Sequence, residues 1–320
     1  MTKPKSSKRK MERVKEPESS ADCKGSGGSP APVSGLGVQQ SSRPSLVSDI
    51  QSMMFAMGDV RRPLQESAAL IEDVTHTQLA LMLSHLQDVC AMRGGKHIGL
   101  EDILFLMRKD KGKMRRLIAH LNFRDLKSRV LQSVQEDEDF FGPEASKRQK
   151  VCADVLSVLD QTGMMSSWQM DSETEGVKQE RIARAERQTR EMDSATYAEF
   201  FDSRQASFAR KIGKLRDWLD LSSLEVKPNA MAMETLAYLA QETVATIVEL
   251  SLLVQRDMEL HIMKEGFGTQ RRMGVQKIGS PITPVHVREA VRRYTEQNTG
   301  GPVGLFTSAY KQFGTPFFAC

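Results

Sequence analysis

Glu72 and His76 stand one helical turn apart, a spacing at which two side chains can reach a common metal ion. Zinc takes three or four such ligands, and no second close His or Cys joins them, so an ordinary pair on a helix surface is the reading. His85, His97, His120 and His261 are isolated in the sequence, and local spacing assembles no nucleophile–base pair. Gly266-x-Gly268 lacks the third glycine and the preceding strand of a dinucleotide loop and reads as a flexible loop. Cys23, Cys90, Cys152 and Cys320 form no C-x-x-C pair, which points away from a disulfide framework or structural zinc and toward a reducing compartment. The expectation is a chain with no catalytic residues, no metal and no cofactor.

Charge offers recognition chemistry instead. Tyr238, Glu242 and Glu249 share one narrow face of a long helix, off its main apolar stripe. An aromatic beside two acids suits a basic protein partner; a solvated face is the plainer reading, because rim charges alone carry little affinity. Arg61-Arg62, Lys96 and Arg271-Arg272 fall in loops where they could meet phosphate. A net charge of +4 on 320 residues, with Asp59 and Glu101 interleaved, makes direct DNA contact the less favoured reading. Basic residues crowd the first fifteen positions and recur at Lys147-Arg148-Gln149-Lys150 after the acidic run Glu136–Asp139; both patches read as nuclear-import signals. There is no apolar leader, no apolar run of membrane-spanning length and no small-molecule motif, so a soluble intracellular chain is expected.

The elements that carry these groups are helical. Residues 1–45, rich in Ser, Gly, Pro and Lys, cannot bury enough surface to order and read as a disordered basic tail. A short helix (Asp49–Met57), a turn at Arg61-Arg62-Pro63, a long helix from Pro63 to about Met92, a Gly94-Gly95 stop and a last helix from Glu101 to Lys109 follow. The long helix is apolar on two faces (Leu64, Ala68, Ile71, Thr75, Met82, Leu86 and Val89; then Leu70, Val74, Leu79, Leu81 and Leu83), more than the single stripe of a surface helix. It must pack against something beyond its own short neighbours. An extension helix from Lys113 to about Val134 turns Leu117, Ile118, Leu121, Leu126, Val130 and Leu131 inward. Residues 46–134 thus form one unit, and 135–205 a charged linker with short helices, including a solvated one from Val177 to about Arg190. The pattern then recurs over 206–298: a short helix (Phe208–Leu219), a turn, Pro228, a long helix to about Met258, and a last helix after Thr283-Pro284. Residues 299–320 read as a loose tail. Two short–long–short units, each leaving apolar surface bare, are most simply covered by each other.

Paired short–long–short helices resemble the histone fold, most closely at Gly95–Asp110. The stretches Gln51-Ser52-Met53-Met54, Arg61-Arg62-Pro63-Leu64, His76-Thr77-Gln78-Leu79, Glu186-Arg187-Gln188-Thr189-Arg190 and Arg216-Asp217-Trp218-Leu219-Asp220 further resemble the suppressor-of-Ty-three-type subunits of the SAGA coactivator, in family order. That resemblance implies an all-α chain whose two histone folds pair intramolecularly. It also implies a non-enzymatic nuclear transcription factor that sits among other SAGA-type subunits and helps deliver the TATA-binding protein to RNA polymerase II promoters. A sequence-independent DNA-binding histone-fold protein is the alternative. The fold further implies a loop cation paired with the aspartate opening the last helix. Lys96 is the nearest match to that cation, Arg93 lies further back, and Asp102 is the acid, so the expected pair is Lys96–Asp102, weakened because lysine lacks a bidentate fork. In the second unit His286 stands near the aspartate position.

Overall fold

The computed structural model describes residues 43–135, 146–160, 176–265 and 279–299. The basic N-terminal patch, Gly266-x-Gly268, Arg271-Arg272 and the C-terminal residues from 300 onward lie outside them. Among the described residues every regular element is a helix.

The first unit consists of α1 (Val47–Met57), α2 (Gln65–Arg93) and α3 (Leu100–Met107). Gly58, at φ 121°, closes α1, and its N–H donates to the carbonyls of Met54 and Phe55. Gly94 closes α2 in the left-handed conformation that a residue with a Cβ resists. Both apolar faces of α2 are consumed: Ala68, Ile71, Thr75, Met82 and Leu86 are buried from one, Leu79 and Leu83 from the other. Leu64 departs from the expected stripe and is 37% exposed, because it is the cap residue rather than part of the helix. Ordered contacts begin before Leu46, with Arg43 paired to Asp73 at 2.9 Å.

α4 (Lys111–Gln135) and α5 (Lys147–Leu159) pack against α3. α5 starts at Lys147, against a sequence expectation of a short amphipathic helix over Val151–Leu159, because Ser146 and Gln149 form a reciprocal capping box. Lys147–Lys150 is therefore its first turn rather than linker. On α4, Leu117, Ile118 and Leu121 are buried as expected and Met114 joins them, whereas Leu126 and Val130 are exposed; the Leu131 side chain lies outside the described ones. The reason is geometric: α5 begins beside Asp125, where Ser146 and Arg148 hold the carboxylate, and runs from there back toward α3.

After α6 (Gly176–Thr189) and α7 (Ser194–Arg204), the second unit follows. It comprises a 3-10 turn (Phe208–Lys211), α8 (Ile212–Trp218), α9 (Ala230–Glu265) and α10 (Pro284–Thr299). The single short helix expected over Phe208–Leu219 is thus broken in two. α9 runs beyond the expected end at Met258, and by length and composition it is apolar enough to cross a membrane, contrary to the expectation of no such run. It is instead the central core helix: Leu236, Ala237, Ala240, Val244, Ile247 and Val248 are inaccessible, and it packs against α1, α2 and α10. Pro63 and Pro228 each precede the cap residue (Leu64, Asn229) rather than occupying the first helical position, and the Asn229 side chain accepts from Ala232 N–H at 2.9 Å.

The two units share one core, and each unit's first loop meets the other's second. Ile98 N–H donates to Lys227 O (3.2 Å) and Asn229 N–H donates to Ile98 O (3.0 Å), a parallel bridge between Ile98 and Pro228. At the opposite junction, Asp59 Oδ1 accepts from Ile282 N–H (3.1 Å) while Ser67 Oγ donates to Ile282 O (2.6 Å). Between them lies Glu72, nearly inaccessible, whose Oε1 accepts from Leu46 N–H (2.8 Å) and from Trp218 Nε1 (2.9 Å). The His76 ring meets Trp218 edge-on at 4.9 Å. Glu72 and His76 are therefore not the surface pair expected; they clamp the two units together.

Candidate partner-binding face

Tyr238, Glu242 and Glu249 do share one face of α9, and that face is covered. Tyr238 stacks on His120 of α4, ring centroids 4.0 Å apart. Desolvation there pushes the His120 imidazole down to about 4, so it is neutral near pH 7. The two carboxylates receive Arg181 of α6. Its Nη1 donates to Glu242 (2.8 Å) and its Nε to Glu249 (2.8 Å), while Nη2 reaches the second oxygen of each, at 3.2 and 3.3 Å. One guanidinium thus forms two forked carboxylate pairs, the geometry that lysine cannot supply. Arg184, one turn on, reaches Glu249 (3.3 Å) and the carbonyl of Met57 (3.3 Å). Gln188 donates to the carbonyls of Phe55 and Asp59 at the end of α1. Gly58 is what lets α6 come so close: a Cβ there would lie 2.8 Å from Arg184 Cδ.

α6 itself contributes no buried residue, in keeping with the expected solvated helix. What the sequence did not reveal is that its inner edge docks through Arg181, Arg184 and Gln188. A pattern at i, i+3 and i+7 of polar residues facing acids sixty positions away was the only available signal.

Asp102 is buried, and its partner is Arg93, not Lys96: Nε to Oδ1 is 2.8 Å and Nη2 to Oδ2 is 2.9 Å. Lys96 lies past the Gly94-Gly95 turn and is exposed, whereas Arg93 in the last turn of α2 reaches directly across to the start of α3. Asp102 also accepts from Gly99 N–H (2.8 Å), closing the first turn of α3. His286 holds the matching place in α10, its Nδ1 accepting from Thr283 N–H at 3.2 Å. Burial lowers its pKa, which keeps that nitrogen free to accept.

Of the residues considered for phosphate contact, Arg61 is forked onto Glu199 of α7, with Nε at 2.7 Å, and also reaches Thr196. Arg148, in the second basic patch, is engaged by Asp125 and Glu234. Among the described residues no group of three or more His, Cys, Asp or Glu could hold a metal ion. An open apolar cleft of about 480 Å³ lies between the ends of α2, α3 and α5, and exposes Met92, Phe105 and Val158.

The family profile described as "Transcription initiation factor IID, 18kD subunit" matches residues 45–136, the stretch from α1 through α4. The chain is 27% identical over 269 residues to the SAGA complex subunit Spt3 of Schizosaccharomyces pombe, covering 77% of this chain and 88% of that protein. It is 26% identical over 307 residues to the SAGA complex subunit SPT3 of Saccharomyces cerevisiae, covering 76% and 89%. A shorter match, 35% over 77 residues, joins it to TFIID subunit 13 of Dictyostelium discoideum, covering 24% of this chain and 71% of that one.

Proposed function

We propose that this chain, similar over most of its length to the Spt3-type family of SAGA complex subunits, is a nuclear coactivator subunit that engages the TATA-binding protein at RNA polymerase II promoters. Members of this family are structural subunits of transcription assemblies, not enzymes. The observation that carries the reading is the closure of both short–long–short units on one shared core within a single chain. With the pairing surfaces consumed internally, recognition falls to the outside of the pair. The apolar cleft at Met92, Phe105 and Val158 is a surface for neighbouring SAGA-type subunits, since exposed apolar patches of this kind mark protein interfaces. The acidic face at Glu242 and Glu249 is the surface for a basic partner, and its capture of Arg181 supports that it accepts a guanidinium.

Purification of the tagged full chain from nuclei tests the assignment: SAGA-type subunits and the TATA-binding protein are expected together, and their absence from the eluate would refute it. Reversal of Glu242 and Glu249 to Lys should lower capture of the TATA-binding protein while leaving the other subunits bound. The alternative, a DNA-binding histone-fold protein, predicts duplex binding with a steep salt slope. The engagement of Arg61 by Glu199 weighs against it.

A further inference from the structure

The contact between α6 and α9 is built differently from every other contact of the paired core. α1, α2, α9 and α10 meet through buried Leu, Ile, Val and Met. α6 has no fully buried residue, and its hydrogen bonds to the core come from charged and amide side chains: Arg181 on Glu242 and Glu249, Arg184 on Glu249, and Arg184 and Gln188 on the last carbonyls of α1. Such a contact weakens with salt and can open while exposing little apolar surface, so its release is only weakly coupled to unfolding. The receiving side behaves in the opposite way. Glu242 and Glu249 stand two turns apart on the core helix α9, which keeps their spacing fixed whether or not α6 is present. In place, α6 leaves these two carboxylates only 17% and 18% exposed.

We propose that α6 is a displaceable occupant of an arginine-receiving site on α9, and that the site's external ligand is a partner helix carrying two arginines one turn apart. The inference rests on reading the Glu242 and Glu249 face as partner-binding. The fit follows from the internal occupant: the first arginine of such a helix bridges both acids, and the second reaches Glu249 and the carbonyl end of α1. α6 then sets a threshold, because a partner must supply the same forked geometry to replace it, and lysine-rich segments do not.

The test uses the full chain and its Arg181→Ala/Arg184→Ala variant. The probe is a fluorescein-labelled alanine-based helical peptide of unrelated sequence, bearing two arginines three residues apart. The variant should take up the probe at least tenfold more tightly than the wild type, and adding Glu242→Gln/Glu249→Gln should abolish uptake. Equal uptake by wild type and variant overturns the proposal. Hydrogen exchange on the wild-type chain guards against a variant that misfolds: α6 amides should exchange at least tenfold faster than those of α9, and faster still in high salt. Exchange of α6 in step with α9 overturns displacement. Capture of the TATA-binding protein separates the two readings. Probe uptake in the variant with no gain in that capture sinks the assignment of the partner and leaves the site intact.

Discussion

Removing the Glu72 carboxylate should strongly destabilise the pair, whereas replacing it by its amide should not. Glu72 Oε1 alone accepts from both Leu46 N–H and Trp218 Nε1, and Oε2 lies 3.4 Å from Ser45 Oγ. Leu46 and Trp218 are themselves inaccessible, so Glu72→Ala strands two buried donors. Each buried donor left unmade costs about 1–3 kcal/mol, giving on the order of 3–5 kcal/mol for the pair. That is a large share of the ~5–15 kcal/mol that holds a typical domain folded. Glu72→Gln retains one carbonyl oxygen in the Oε1 position and turns its amide toward Ser45 Oγ, which can accept. The loss is then only the charge assistance, about 1 kcal/mol. Urea unfolding followed by circular dichroism checks this, with the slope on denaturant required to stay constant so that midpoints report stability. A double-mutant cycle with Trp218→Phe should show coupling, since Trp218 supplies one of the two donors. Equal losses for Glu72→Ala and Glu72→Gln, or no coupling to Trp218, would refute the clamp.

Arg93→Ala should destabilise by roughly 3 kcal/mol by leaving the buried Asp102 carboxylate without its forked partner, while Lys96→Ala should change unfolding midpoints by less than about 0.5 kcal/mol. Because burial holds His120 down to about 4, the unfolded chain takes up a proton there near pH 6.5 before the folded one does. Stability from this group is therefore complete above pH 6.5 and lost as pH falls toward 4. The loss is on the order of 2 kcal/mol once solvent screening is allowed for, and His120→Phe should flatten that part of the stability–pH curve. Asp59→Ala should cost about 1–3 kcal/mol by orphaning Ile282 N–H, read as faster amide exchange at the start of α10 than at Ile98. His286→Ala should cost about 1 kcal/mol, the value of a lost helix cap, in the same unfolding assay.

The architecture was legible because the long helices carry their information locally. Two apolar faces on residues 64–89 demanded a second layer, and the recurrence after Phe208 supplied it. Errors gathered where geometry, not periodicity, decides. Whether Leu126 and Val130 are inside depends on where α5 happens to begin, and that depends on a capping box ten residues past a break in the pattern. Arg93 and Lys96 are equally cationic, and only the turn at Gly94 determines which one faces Asp102. Glu72 looked like a surface residue because a buried carboxylate is rare unless something distant satisfies it, and its donor, Trp218, lies in the other unit. The acids at Glu242 and Glu249 were found, but their occupant was not. An arginine contact spanning more than sixty residues leaves no periodic trace in either helix.

The Ile98–Pro228 and Asp59–Ile282 junctions occupy equivalent places in the pair but are made of different bonds, one from main-chain amides and the other anchored by a carboxylate and a hydroxyl. Since both halves belong to one polypeptide, neither half can be traded for that of another subunit, and dilution does not part them, because a tether holds the partner at millimolar effective concentration. An assembly that takes up this chain receives a pair of fixed composition with two distinguishable poles.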